Sequence, residues 1–384
     1  MAALQDDLHP AQEVGELDGL PEPFPAVEAA EAPEATVAAE PGAPVADPDA
    51  LPLERARAVL AAHPVADGYS GLPWALRRLS WYDLDTGESA VHTDVPRLRE
   101  GHVGALFCAL HLPESLDGDR AVGATLEQLD LVKTVVRAHP EGLRLARGAG
   151  ESADARHCRR TAVLLGPAGA AALGDSLSIL RCLHDLGLRV LTLSGTSWAS
   201  ETGLTRFGEE VVREMNRLGV LPDLTGASPE TIRRTLVVSK APVLCTRSAA
   251  RALRPHPANL PDDLLAELGA AGGLCMVPLT AEQTGPTVRD VVDHLDHVRA
   301  VAGPECVGLS GTYDASGAHP LELGDVSCYP RLVAELLHRD WSESDVALLT
   351  WGNLQRVLRG ADCAARAAQQ RREPSTATIA TLDG

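Results

Sequence analysis

Residues 207–228 read FGEEVVREMNRLGVLPDLTGAS, and residues 229–248 read PETIRRTLVVSKAPVLCTRS. Phe207, Val211, Met215 and Leu218 recur at helical spacing, so Glu209 to Leu218 is an amphipathic helix. Gly219 fits the position just past its end, where positive φ is cheap. Val220 to Leu224 is a short apolar run of the kind that forms a buried strand. Ser228 is placed as an N-cap with Pro229 at the first helical position, and Ile232, Leu236 and Val237 supply an apolar face. Pro242 to Cys245 is a further apolar run. Helix, strand, helix, strand is the repeat of a parallel α/β fold. In such folds function sits beyond the carboxyl ends of the strands, here at Thr225 and Gly226 and at Thr246 and Arg247.

Working outward, the same alternation covers most of the chain. Strands are expected at Pro64 to Tyr69, His102 to Leu110, Thr161 to Gly166, Arg189 to Leu193, Gly273 to Pro278 and Glu305 to Gly311. With the two above, and with helices between them, they make a (β/α)8 barrel, a TIM barrel, the expected fold. An open doubly wound sheet is the competing arrangement. Neither GxGxxG nor GxxxxGK[ST] stands at a strand-to-helix turn, which weighs against nucleotide binding. Arg144 to Arg159 reads as a polar loop.

The barrel is expected over 51–362. Residues 1–50 hold twelve acidic residues, eight prolines and no Lys or Arg, the composition of a disordered acidic tail. Residues 363–384 read as a flexible C-terminal tail. The net charge of −19 and the 3% aromatic content disfavour nucleic acid and anionic membranes as partners. The N-terminus shows no signal-peptide pattern, and no apolar run approaches the ~20 residues that span a bilayer. The eight cysteines form no CxxC pair, and several lie in apolar runs, so a reduced, cytoplasmic setting is expected.

Several stretches together resemble the membrane (renal) dipeptidase family of zinc metallopeptidases, whose members are amidohydrolase-type barrels. They are VADGYSGLPWALR (65–77), HTDVPRLREGHVGALF (92–107), the long block from Ser176 to Leu224, APVLCTRSAARAL (241–253), HPANLPDDLL (256–265), DHLDHVRAVAG (293–303) and WGNLQRVLR (351–359). The resemblance implies a metal site at the strand ends, yet the departures fall there. Where the family has DGHxDLPW, Tyr69 and Gly71 stand at the ligand positions. Ala168 replaces the bridging Glu. Gly195 and Gly226 replace histidines in TLSG and DLTG, and Arg247 replaces one in TRSAAR. Ala258 replaces the substrate-binding Arg of HPRN. Thr312 replaces the first Asp of DFDG, while Asp314 matches the second.

The residues read alone agree. A two-metal hydrolase needs clustered His and carboxylate ligands at the strand ends, with a base for the water. Of the thirteen histidines only His111 lies just past an expected strand. His294 and His297, three apart on an outer helix, form either a surface metal pair or part of a solvated face. Cys108 with His111 is a weak candidate for a nucleophile and base. No zinc or other cofactor is therefore expected, and no catalytic residue is assigned. The expected activity is that of a catalytically inactive relative. It would serve as a partner subunit, in a homo-oligomer or with an intact dipeptidase paralogue, or bind a peptide or small carboxylate. An active zinc dipeptidase with unusual ligands and a metal-free enzyme using the same mouth are the other readings. The candidate pocket is Tyr69, Arg247, Thr312, Tyr313 and Asp314, with Arg247 either holding a ligand carboxylate or plugging the mouth by pairing with Asp314 or Asp223.

Overall fold

The computed structural model describes residues 50–384 apart from 88–89, 113–115, 117 and 316. The acidic tail expected over 1–50 lies, but for Ala50, outside the described residues. Eight parallel strands close on themselves: β1 (Val65–Ser70), β2 (Val103–Leu110), β3 (Thr161–Gly169), β4 (Val190–Thr192), β5 (Leu221–Asp223), β6 (Leu244–Cys245), β7 (Leu274–Pro278) and β8 (Val307–Ser310). Each pairs with the next, β8 pairs with β1, and so the expected (β/α)8 barrel is formed. A ninth strand, Leu143–Leu145, adds to the outside of β3 without entering the ring.

The helices relevant here are α1 (Ala50–Ala62), α2 (Gly118–Ala138), α3 (Leu177–Asp185), α4 (Arg206–Leu218), α5 (Pro229–Val238), α6 (Asp262–Ala270), α7 (Val288–Ala302), α8 (Tyr329–His338) and α9 (Asn353–Gln369). In the deciding stretch the local chemistry acts as its residues suggest. The Thr205 hydroxyl accepts from the Gly208 amide at the start of α4, and Gly219 ends that helix at φ 77°. Ser228 caps α5 by accepting from Thr231, with Pro229 in the first turn. The apolar face of α5 differs from expectation. Ile232 is buried with Thr231 and Thr235, whereas Val237 points outward and is 64% exposed.

Alternate residues of the strands divide the core. Ala66, Ala105, Phe107, Ala162, Leu164, Val190, Leu221, Leu244, Leu274 and Met276 form one cluster, and Trp351, Leu354, Val357 and Leu358 join it from α9 and the turn before it. The α9 segment lies at the amino ends of the strands. Asn353 donates to the carbonyls of Pro304 and Val307, and Arg356 to that of Gly273. The lower end of the barrel is thus plugged by apolar side chains. A larger cluster packs the other strand faces against the helices.

Two expectations are corrected. Within the polar stretch Arg144 to Arg159 there is a helix, Ala149–His157, whose buried face is only Ala149, Ser152 and Ala155, too small to show in an apolar pattern. Residues 363–384 are not a frayed tail. Helix α9 continues to Gln369, whose side chain donates to the Arg217 carbonyl at the end of α4. The chain then climbs along α4. The Ser375 carbonyl accepts from Arg181, and Asp383 accepts from the Thr205 hydroxyl (2.6 Å) and the Phe207 amide (3.1 Å). Ala377, Ile379 and Leu382 pack on the outer core, so the segment is held by apolar burial and by a carboxylate at a helix N-terminus.

Candidate functional site

The mouth of the barrel is built around a buried carboxylate. Asp223, at the end of β5, is fully buried. Its Oδ1 accepts from the Thr246 amide (2.8 Å), the Thr225 hydroxyl (2.8 Å) and the Thr225 amide (3.3 Å). Its Oδ2 accepts from the hydroxyls of Thr192 (2.7 Å) and Thr246 (3.0 Å). Five donors from the ends of β4, β5 and β6 satisfy one carboxylate without a cation.

The same threonines set Arg247. Its amide donates to the Thr225 hydroxyl oxygen at 3.1 Å, and its carbonyl accepts from the Gln283 side chain at 3.1 Å. Gln283 is held in turn by Asn259, a buried residue that also fixes the Ala249 amide and the carbonyls of Arg254 and Gln283. With both backbone groups fixed, the Arg247 guanidinium lies over the Tyr69 ring, 4.1 Å from its centre. Tyr69 is 4% exposed. Burial raises its phenol pKa, with Arg247 acting to lower it and Asp223 to raise it.

Of the two roles left open for Arg247, the plug by pairing with Asp314 or Asp223 is not made. Among the described residues it forms no ion pair, and its buried Nε has no hydrogen-bond partner. Asp223 is occupied by threonines. Asp314 faces the other way, accepting from the His92 amide at 2.6 Å with the His92 ring 4.0 Å off. Burial raises the Asp314 carboxyl pKa.

The rest of the expected pocket is only partly brought together. The Thr312 hydroxyl donates to the neighbouring Gly311 carbonyl (2.6 Å), and the Tyr313 hydroxyl to the Leu323 carbonyl (3.1 Å), so neither serves the mouth. Their segment instead prolongs β8 along β1. The Thr312 amide donates to the Tyr69 carbonyl and the Gly71 amide to the Tyr313 carbonyl. Thr312 and Asp314 take positive φ (55° and 61°) to do so. Beneath them Gly71 has no room for a side chain, because a Cβ there would lie 2.6 Å from the Asp314 carbonyl carbon.

Ala168 is buried in β3 between Leu110 and Leu191. Gly195 and Gly226 are the opposite case. Both have φ above 70°, both are exposed, and a Cβ at either meets nothing within 4 Å. The mouth is open above β4 and β5. Ala258 is half-buried in the β6–α6 loop.

The other candidates separate. Cys108 is buried, and burial pushes its thiol up to about 12, so it is no nucleophile beside His111. His111 is exposed and stacks edge-on with Trp74. His294 is not on a solvated face: it is buried, accepts from the Ala250 amide at 3.1 Å, and is pushed down to about 4 by burial. His297 pairs with Asp262 at 2.8 Å, so the two histidines are not a metal pair. Among the described residues no group of three or more His, Cys, Asp or Glu side chains could hold a metal ion.

Sequence reasoning passed over Asp67. It is fully buried and accepts from the amides of Tyr69 (3.1 Å) and Gly311 (2.7 Å) and the hydroxyl of Tyr329 (2.8 Å), tying β1 to β8 and α8. Burial outweighs these donors and pushes its carboxyl up to about 6. An acidic residue inside an otherwise apolar strand was the available signal.

The model of the family "Membrane dipeptidase (Peptidase family M19)" matches residues 53–372. This chain is a membrane dipeptidase family member. Among its relatives in that family, mouse Dipeptidase 3 is 40% identical over 330 residues, covering 80% of this chain and 66% of the mouse protein. Dipeptidase verJ of Clonostachys rogersoniana is 33% identical over 336 residues, covering 80% of this chain and 86% of that one. A metallopeptidase structure from Rhodobacter sphaeroides, with a phosphinate mimic of the dipeptide L-Ala-D-Ala, superposes with a TM-score of 0.72 at 23% identity. It covers 78% of this chain and 99% of its own, and shares the barrel. No helix among the described residues of this family member is long and apolar enough to cross a membrane.

Proposed function

We propose that this member of the membrane dipeptidase family carries no zinc, does not hydrolyse dipeptides, and acts by binding through its barrel mouth. The observation that carries the reading is the closure at Gly71. The resemblance puts a family ligand at this position, and the segment after β8 lies so close to it that no side chain fits. The donor set around it does not fit a zinc pair either. The strand ends offer Tyr69, Ala168, Gly195, Gly226 and Arg247, and the carboxylates there are engaged: Asp223 by hydroxyls and amides, Asp67 by Tyr69, Gly311 and Tyr329, and Asp314 by the His92 amide. A fixed guanidinium charge at the mouth opposes a nearby dication.

The protein works either alone or as a subunit, with its own copies or with an intact dipeptidase. It belongs in a reducing compartment such as the cytoplasm, in keeping with its eight free cysteines. The test is metal analysis of the purified full chain, followed by dipeptide hydrolysis with and without added zinc. No stoichiometric zinc and no turnover are expected. One or two zinc ions per chain with turnover would restore the reading of an active dipeptidase with unusual ligands.

A further inference from the structure

We propose that Arg247, laid on Tyr69, is the binding group of a site for small monocarboxylates, such as the free C-terminus of a short peptide. The inference rests on the metal-free reading and gives the mouth its ligand class.

Four observations lead to it. The guanidinium is held, not floating: Thr225 and Gln283 fix its backbone, and the Tyr69 ring supports its face at 4.1 Å. It is uncompensated, since it has no carboxylate partner among the described residues and its buried Nε has no acceptor. With one face covered by the ring, its edge remains for a ligand. That edge is a planar fork of N–H donors that matches the two oxygens of a carboxylate. Finally, Gly195 and Gly226, which follow β4 and β5, are exposed, and a Cβ at either would meet nothing within 4 Å.

Charge narrows the class. Arg247 supplies a cation against Tyr69, and the buried Asp223 acts on Tyr69 along with it. A ligand with a single negative charge is compensated, whereas a dianion such as phosphate meets the field of Asp223. A neutral amide leaves the fork without a charged acceptor.

The experiment is calorimetric titration of the full chain, stripped with chelator and dialysed, with N-acetyl-Ala-Ala and with its C-terminal amide. The acid is expected to bind saturably and the amide not. Arg247→Gln should lose binding, and Arg247→Lys should weaken it about tenfold or more, because an ammonium keeps the charge without the fork. Circular dichroism of each variant establishes that it is folded. If Arg247→Gln fails to fold, the contrast between the wild type and Arg247→Lys decides. Absent saturable binding of the acid, equal binding of the amide, or unchanged affinity in the variants each overturns the inference. Zinc found in the preparation before stripping, or cleavage of Ala-Ala once zinc is added back, marks failure of the metal-free reading instead, and the two failures are read separately.

Discussion

Gly71 and Asp314 are packed backbone to backbone, so that a Cβ on the first would lie 2.6 Å from the carbonyl carbon of the second. Gly71→Ala should therefore force the β8 segment off β1 and lower stability by about 1–3 kcal/mol. Gly226→Asn, at an exposed left-handed position with nothing near, should cost well under about 1 kcal/mol. Urea denaturation of both compares them. Equal effects would mean that the 312–314 segment yields freely.

Asp67 makes stability depend on pH. Its folded pKa of about 6 lies above the ordinary aspartate value of 3.8. The folded state therefore keeps a proton that the unfolded chain gives up between these values. The resulting stabilisation is present below about pH 4 and is lost as pH rises toward 6, about 3 kcal/mol in all. Asp67→Asn keeps acceptors for Tyr69 and Gly311 and removes that slope. Denaturation of both proteins from pH 4 to pH 7 tests it, and parallel profiles would refute the assignment.

Thr246→Val removes one hydroxyl donor from the fully buried Asp223 while keeping shape. A hydrogen bond to a charged group is lost without replacement, and about 1.5–3 kcal/mol of stability should go with it. Thermal or chemical unfolding measures the loss, and a change below about 0.5 kcal/mol, the range of an inconsequential surface substitution, would show that water replaces the hydroxyl.

Asp383→Ala removes the carboxylate that accepts from Thr205 and Phe207 at the start of α4. It should cost about 1 kcal/mol. Truncation after Arg372 should cost more, because Ile379 and Leu382 leave the outer core as well. A truncated chain as stable as the full one would mean the segment rests on the barrel without holding it.

Association is settled by sedimentation of the pure protein and of its mixture with an intact family member. A larger species in either case is expected of a subunit. A monomer in both removes that role and leaves the binding role alone.

The barrel was legible because its signals are local. Caps at Ser228, glycines at Gly219 and short apolar runs act within a few residues, and the structure keeps them where the sequence places them. What escaped depends on partners distant in the chain. Residues 363–384 look polar until Arg181, Thr205 and the flank of α4 are beside them. His294 looks solvated on a helical wheel until the Ala250 amide is seen to need an acceptor. Arg247 and Tyr69 were legible as mouth residues from their strand ends. Their stacking was not, nor was the freedom of Arg247 from Asp223, because the carboxylate is taken by threonines on three strands. Thr225 and Thr246 each follow a strand, so the hydroxyls were visible; their convergence on one carboxylate was not.

That convergence has a consequence for how the barrel opens. Strands β5 and β6 share a single register pair, Asp223 with Leu244, so their ladder ends almost as it begins. The Asp223 side chain continues the pairing by binding the Thr246 amide and the hydroxyls of β4 and β6. Amide hydrogen exchange ordinarily proceeds fastest where a strand runs out. In this sector the Thr246 amide should instead exchange as slowly as the middle of the long strand β2, and it should open only when the whole β4–β6 wall comes apart.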